Sequence, residues 1–470
     1  MYDLIVIGSG PAGEKGAAQA AYFGKRVALI EREPVIGGAC ANTGTIPSKT
    51  LRESALHLSG FRQRGFRDPI HVAARDEISV DYFMYRKNVV VEAEWRRIEA
   101  NLRRHMVDYV QGAASLRSAH EVFVSGPDGD RVIEGNVILI ATGSSPARPE
   151  GVPFDDDSVC DSDTILRIDE IPKSMAVVGA GVIGCEYASI FAALGVQVHL
   201  IDGRTALLPH VEGEIVRVLL GELQSRLGVV LHLGVDVDTI ERLEGRVRLT
   251  LRSGGSLEVD KVLYAAGRTS NTATLNLEAA GVATGKRGLI PVNEHYQTNV
   301  SNIYAAGDVI GFPALASTSM EQARVAMVHA FDLKYKTRVA STLPYAIYTI
   351  PELSTIGLTE EQCIEQGQPC ESGRAFFRTN SRGQIIGDAK GMIKLVFEPE
   401  TLRLLGVHIV GENAAELVHI GMMVMQVNGT IEAFIEGVFN FPTLSEAYKY
   451  AAYDGLGNVA RKKQHGAVSI

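Results

Sequence analysis

The sequence predicts an α/β protein with two βαβ units and a C-terminal α+β domain. Three observations carry this prediction. A strand-like apolar run, a glycine-rich turn, a helix-like stretch and a second apolar run ending on an acid occur near residue 8 and again near residue 179. The two copies share one spacing: Gly8 to Glu31 is 31 − 8 = 23 positions and Gly179 to Asp202 is 202 − 179 = 23. The last third of the chain then changes to alternating apolar runs and an apolar helix.

At 470 residues the chain exceeds one ordinary core, and a prior of roughly 100–200 residues per domain gives about three domains. With 46% hydrophobic residues, 21% charged and 48 glycines, it reads as a globular protein with many tight turns. A formal net charge of −9 argues against a nucleic-acid partner, which requires clustered Lys and Arg. The basic run Arg461-Lys462-Lys463 reads as a solvated tail. Five cysteines, odd in number and without metal-ligand spacing, point to a reducing compartment and to no metal site. The start of the chain carries no secretory pattern, so a cytoplasmic protein is expected. The most apolar long stretch, Met175 to Ile201, is interrupted by Glu186, Gln197 and His199, so no membrane helix is expected.

In the first unit Tyr2 to Ile7 reads as a buried strand, Gly8-Ser9-Gly10-Pro11-Ala12-Gly13 as the turn, residues to about Phe23 as a helix, and Arg26 to Ile30 as a strand closing on Glu31. In the second, Ala176 to Val178 precedes Gly179-Ala180-Gly181-Val182-Ile183-Gly184, a helix runs through Leu194, and Val196 to Ile201 closes on Asp202. Gly8, Gly10, Gly13 and Gly179, Gly181, Gly184 permit tight turns and close approach of backbone to a pyrophosphate at a helix N-terminus, while Glu31 and Asp202 can hold ribose hydroxyls. Both units are therefore read as Rossmann-like dinucleotide-binding domains. Two such sites suit one tightly held and one exchanging cofactor. Beside Asp202, Arg204 can accept the 2′-phosphate of NADP, whereas the acid favours the NAD ribose diol; a plain surface arginine is the alternative.

Further on, Met392 to Phe397 and Leu402 to Val410 alternate around Glu398-Pro399-Glu400-Thr401, and an apolar helix follows through Met425. This reads as an antiparallel sheet packed on helices. His419 and Tyr448 read as packing residues, the latter with Tyr450 at an interface.

The segment Gly37-Gly38-Ala39-Cys40-Ala41-Asn42-Thr43-Gly44-Thr45-Ile46-Pro47-Ser48-Lys49 resembles the G-G-x-C-x-x-x-x-C-x-P-x-K segment of the flavin disulfide reductases, such as dihydrolipoamide dehydrogenase. Thr298 and Tyr304-Ala305-Ala306-Gly307-Asp308 match that family's second FAD motif. Ala141-Thr142-Gly143-Ser144 and Ala266-Gly267-Arg268 match the segments where the chain enters and leaves an inserted NAD(P) domain. The resemblance covers nearly the whole chain and implies FAD as the held cofactor, NAD and NADP as exchanging substrates, and a homodimer or higher homo-oligomer. It implies a first part of the FAD domain at 1–150, the NAD(P) domain at 151–270, the rest of the FAD domain at 271–340 and a dimerisation domain at 341–470. Gly8, Gly10, Gly13, Glu31, Gly38, Cys40, Lys49, Ala113, Thr142, Gly143, Asp308 and Ala316 would hold FAD. Gly179, Gly181, Gly184, Glu186, Asp202, Arg204 and Gly267 would hold NAD(P). Lys49 with Glu186 would support hydride transfer electrostatically, or form only a structural ion pair.

This chain departs from that pattern twice. Thr45 stands where the second redox cysteine is expected, and a hydroxyl can neither join an S–S bond nor act as a thiolate. Phe441, in Phe441-Pro442-Thr443-Leu444-Ser445-Glu446, stands where the family has its acid–base histidine, leaving Glu446 without the ring it would orient. Neither a phenyl ring nor the neighbouring Asn440 amide carries a proton near neutral pH. Cys40 is left with a residual redox role or a packing one.

The double departure resembles the soluble pyridine nucleotide transhydrogenases, whose match lies in Gly44 to Lys49, Gly181 to Ser189, Gly267-Arg268-Thr269 and Asn440 to Thr443 with Glu446. The resemblance implies Si-specific hydride transfer between NADPH and NAD⁺ through flavin N5, in a ping-pong cycle with no dithiol store. Thr45, Lys49, Glu186 and Glu446 are the catalytic candidates. An NAD(P)H dehydrogenase passing electrons to a quinone, and a nucleotide-sensing flavoprotein, are the other readings.

Overall fold

The computed structural model describes residues 1–60 and 78–467. Its first sheet is seven-stranded and centres on Tyr2–Ile7, which pairs in parallel with Val27–Glu31 on one side and Arg131–Ile140 on the other. Ile303–Ala305 also pairs in parallel with Arg131–Ile140, so a segment distant in sequence completes this sheet. The run Leu4-Ile5-Val6-Ile7 is continuously apolar because both faces are covered. Leu4 and Val6 pack among Ala17, Ala20 and Ala323, whereas Ile5 and Ile7 pack among Val122, Ile133 and Ile290.

The second sheet is parallel, in the order Val230–Leu233, Gln197–Asp202, Ser174–Val178, Lys261–Tyr264, Val159–Asp161. Helices Val182–Ala193 and Gly213–Ser225 contribute Ile190, Phe191, Ile215 and Leu219 to the core beside it. The strands Ser144–Pro146 and Arg268–Ser270 pair antiparallel, so the segments that lead into and out of this sheet run side by side.

The third sheet is antiparallel, in the order Tyr345–Ile347, Leu353–Gly357, Leu404–Val410, Met392–Phe397, Glu371–Phe376. The expected antiparallel pair packed on helices is present, and every residue of Met392–Phe397 and Leu404–Val410 is buried. Ile393, Leu395, Val407 and Ile409 join the core with helices Ala414–Gln426 and Ala447–Ala467. Lys394 and His408 point to the other face, where Lys394 Nζ meets Glu212 Oε1 at 2.6 Å, Glu214 Oε2 at 3.1 Å and the Glu360 carboxylate. The polar positions are paired rather than solvated. Among the described residues no helix is long and apolar enough to cross a membrane.

Candidate functional site

Two adjoining cavities lie at the C-terminal ends of the parallel strands of the first two sheets. The larger, about 1040 Å³, is lined by Gly8, Gly10, Glu31, Gly38, Cys40, Thr45, Lys49, Ala113, Thr142, Gly143, Glu186, Asp308 and Ala316. The smaller, about 820 Å³, is lined by Gly179, Gly181, Asp202, Arg204 and Gly267. Ser162, Val182, Ile183 and Arg268 line both, so one space opens into the other.

The glycines of the two units do matching work. Gly8 and Gly179 both have φ of +103° or just below it, and a Cβ there would stand 2.4 Å from Ala141 O or 2.8 Å from Ala265 O. Gly13 and Gly184 line neither cavity; a Cβ on either would lie 1.8 Å from the carbonyl of Gly8 or Gly179, so these two permit helix–strand packing. Gly10 and Gly181 instead face open space, the nearest atom to a Cβ on Gly10 being 4.0 Å away. Each helix, Pro11–Tyr22 and Val182–Ala193, thus presents its N-terminal backbone to a cavity with no side chain in the way.

The acids are held differently. Glu31 Oε2 accepts from Ser9 N at 2.9 Å and Ser9 Oγ at 2.6 Å, and Ser9 Oγ accepts from Gly37 N at 2.8 Å, tying the first turn to the Cys40 segment. Asp202 Oδ2 accepts from Ala180 N at 2.6 Å, while the Arg204 guanidinium closes on both carboxylate oxygens, at 2.9 Å from Nε and 2.7 Å from Nη2. Burial pushes the Asp202 carboxyl up, but the Arg204 side chain, the Arg204 N–H and the Ala180 N–H together hold it at about 2.

Thr45 opens helix Thr45–Leu58, and its hydroxyl lies beside Cys40 of helix Gly38–Asn42 on the wall of the larger cavity. Burial pushes the Cys40 thiol up, and the Thr45 hydroxyl only partly offsets it. One turn on, Lys49 Nζ reaches 2.5 Å from Glu186 Oε2, joining the first βαβ region to the helix of the second. Glu186 is buried and its Oε1 accepts from Tyr348 N at 2.8 Å; the Tyr348 ring lies 5.1 Å from Lys49 Nζ. At the other end of the cavity Ser144 Oγ donates to Asp308 Oδ2 at 2.8 Å and accepts from Arg268 Nε at 2.8 Å.

The cavity suits a bound dinucleotide on the donor and acceptor set it offers. Thr142 lines it with a buried hydroxyl that has no partner among the described residues, and Gly10 leaves room for a phosphate on the helix terminus. FAD would lie along Gly8 to Ala12, Glu31, the Gly38–Lys49 segment and Asp308, with NAD(P) along Gly179 to Ile183, Asp202 and Arg204, while Gly13 and Gly184, expected among the cofactor contacts, shape the turns from behind.

Glu446 lies outside both cavities of this chain, as does Phe441, whose side chain is 71% exposed. His419, expected to pack, is exposed and lines the larger cavity with Ala415 and Val418, because helix Ala414–Gln426 runs along its wall. Tyr448 packs within the chain, its hydroxyl donating to Leu417 O at 2.8 Å, and is fully buried. Sequence reasoning gave no role to Tyr348 or Asp163 and named Ser144 only within the Ala141–Ser144 segment; all three line the larger cavity. Tyr348 acts through its backbone N–H, which no side-chain pattern reports.

The family model described as pyridine nucleotide-disulphide oxidoreductase matches residues 2–330, and its dimerisation-domain counterpart matches residues 343–452. A protein of Mycobacterium bovis named soluble pyridine nucleotide transhydrogenase is 44% identical over 465 residues, covering 98% of this chain and 99% of that one. Its namesake from Colwellia psychrerythraea is 42% identical over 462 residues, covering 97% and 98%. Among solved structures, LpdA from Mycobacterium tuberculosis superposes with a TM-score of 0.88 at 27% identity, covering 96% of this chain and 99% of that one. The HOCl-induced flavoprotein disulfide reductase RclA from Escherichia coli gives 0.86 at 29% identity, with the same coverage.

Proposed function

The chain belongs to the pyridine nucleotide-disulphide oxidoreductase family, and on that premise we propose that it is an FAD-dependent transhydrogenase moving hydride between NADPH and NAD⁺. The observation that carries this reading is the Cys40–Thr45 contact: a lone thiol beside a hydroxyl, in a cavity that otherwise has the flavin-binding donor set. FAD, when bound, supplies a ring that takes hydride from one nicotinamide and returns it to the next, a ping-pong exchange of Si specificity.

The residues of this chain do the rest. The N-terminus of helix Pro11–Tyr22 binds the flavin pyrophosphate, Glu31 the adenosine ribose and Asp308 the ribityl hydroxyls. The N-terminus of helix Val182–Ala193 binds the nicotinamide nucleotide's pyrophosphate. Asp202 receives the ribose diol of NAD(H), and Arg204 swings from Asp202 to receive the 2′-phosphate of NADP(H), so one pocket accepts both. Lys49 places a cation against the ring system, and Glu186, fixed by Tyr348 N, holds the lysine in place. Thr45 keeps Cys40 company without offering a second sulfur. The domain limits given above, a cytoplasmic homodimer built through 341–470, and a partner-facing place for Glu446 belong to the same reading.

Stopped-flow reduction by NADPH followed by mixing with an NAD⁺ analogue, a quinone or lipoamide tests it. Rapid reoxidation by the NAD⁺ analogue is expected. Reoxidation by quinone alone would make the chain an NAD(P)H dehydrogenase, and turnover with lipoamide would overturn the loss of thiol chemistry.

A further inference from the structure

Away from both cavities, two of the five cysteines pack in one cluster. Cys363 and Cys370 are 370 − 363 = 7 positions apart, and Cys370 packs against the cluster that holds Cys363, each thiol perturbing the other. Both belong to one small apolar cluster with Leu358, Val396 and Leu405. Cys363 is fully buried on the short helix Glu360–Glu365; Cys370, just ahead of strand Glu371–Phe376, is partly exposed. The remaining thiols have other partners: Cys160 donates to Asp157 O, Cys185 to Ala180 O, and Cys40 meets Thr45.

We propose that Cys363 and Cys370 form a reversible redox modification site, oxidised to an intrachain disulfide by a hydroperoxide and restored by a dithiol. The Cys370 thiolate attacks the peroxide, the O–O bond breaks, a sulfenic acid forms, and an alcohol, or water from hydrogen peroxide, leaves with the proton that Cys370 gave up. The Cys363 sulfur then attacks the sulfenic sulfur; the S–S bond forms, the S–O bond breaks and water departs with the Cys363 proton. Two thiols lose two electrons and the peroxide gains them.

The placement fits this order of events. The exposed sulfur meets the oxidant and the buried one, packed in the same cluster and shielded from a second oxidant molecule, resolves it. Burial pushes both thiols up, Cys363 to about 12; Glu360 adds to this at both, Glu212 at Cys363 and Glu371 at Cys370, while Lys462 lies on the opposing side for Cys370. The pair is thus slow to oxidise at neutral pH and responds to sustained oxidant. The disulfide would tie the helix bearing Glu360 to the strand bearing Arg374, two of the groups gathered around Lys394 and Glu214.

The test is peptide mass spectrometry under non-reducing conditions on the FAD-loaded protein after hydrogen peroxide at mildly alkaline pH and alkylation of residual thiols. A cross-linked peptide joining Cys363 to Cys370, removed by dithiothreitol, is expected. In Cys363→Ser the cross-link is replaced by sulfenic or sulfinic acid on Cys370. Full alkylation of both thiols while Cys40 is oxidised, or over-oxidation of Cys370 in the unmutated protein without a cross-link, would overturn the proposal, and neither outcome depends on the variant folding.

Discussion

Lys49 and Glu186 meet at 2.5 Å across the seam between the two βαβ regions, although 137 positions separate them in sequence. The side chain of Lys49 keeps 26% of its surface exposed toward the larger cavity, while that of Glu186 keeps 4%. The pair is therefore half presented and half anchored, the arrangement expected of a charge that acts on a bound ring rather than of a surface ion pair, which contributes little.

Lys49→Met is expected to slow flavin reduction by NADPH about 100-fold, the scale found when one preorganised electrostatic partner is removed. Glu186→Gln keeps an acceptor for Tyr348 N–H and should lose about tenfold. Stopped-flow absorbance with FAD content measured alongside checks both. Unchanged rates in Lys49→Met at full FAD occupancy would reduce the pair to a structural one.

Arg204→Ala frees the Asp202 carboxylate from its guanidinium and removes the candidate phosphate receptor. A charge-assisted hydrogen bond of about 1.5–3 kcal/mol corresponds to a rise of at least about tenfold in KM for NADPH, with KM for NADH nearly unchanged. The pH dependence has a definite sign. Asp202 is held at about 2, below its unfolded value, so its contribution is full above about 4 and is lost as pH falls toward 2. Steady-state kinetics with the two nucleotides and acid unfolding of the variant test these outcomes. Equal KM changes for both nucleotides would count against a phosphate role.

Gly181→Ala and Gly184→Ala should fail in different ways. At Gly181 a Cβ meets nothing within 4 Å, so the variant folds but crowds the nucleotide backbone and raises KM for both nucleotides. At Gly184 the Cβ would lie 1.8 Å from Gly179 O, so the helix must shift away from the strand and stability falls by at least about 1–3 kcal/mol. Thermal melts and kinetics on the two variants separate ligand space from packing space. A destabilised Gly181→Ala would refute the assignment of that space to ligand.

How much of this was legible beforehand varies with how local the cause is. The two turns were readable because Gly8, Gly13, Gly179 and Gly184 are required by contacts within a few residues or across one strand pair. Thr45 was readable as a departure because its partner Cys40 is five positions away. The clasp on Glu186 was not, since the Tyr348 N–H that holds it belongs to backbone 162 positions on. The antiparallel pairing of Met392–Phe397 is legible from its alternation, but the surroundings of Lys394 within it are not. Its partners Glu212 and Glu360 lie 182 and 34 positions away, and nothing local signals that a lysine in an apolar strand will be buried. His419 was misread for the same reason in reverse: a helix can be apolar on average and still line a cavity with its one polar ring.

That buried lysine gives the last prediction. Lys394 is almost fully buried, as is Glu212, and Glu214, Glu360 and Arg374 complete a charged cluster between helix Gly213–Ser225 and the third sheet. Burial pushes the Lys394 ammonium down, but Glu212 and Glu360 outweigh it and raise it above its ordinary value. A raised cation stabilises the fold fully below its unfolded value near 10.4 and loses that contribution as pH climbs through the folded one. The protein is thus expected to unfold more readily at strongly alkaline pH. Lys394→Met removes the cation and leaves Glu212 buried beside other carboxylates, costing about 3–5 kcal/mol, whereas Lys394→Met combined with Glu212→Leu and Glu360→Gln should recover most of it. Chemical denaturation of the three proteins decides the matter, and an unaffected single variant would mean that the cluster is open to solvent.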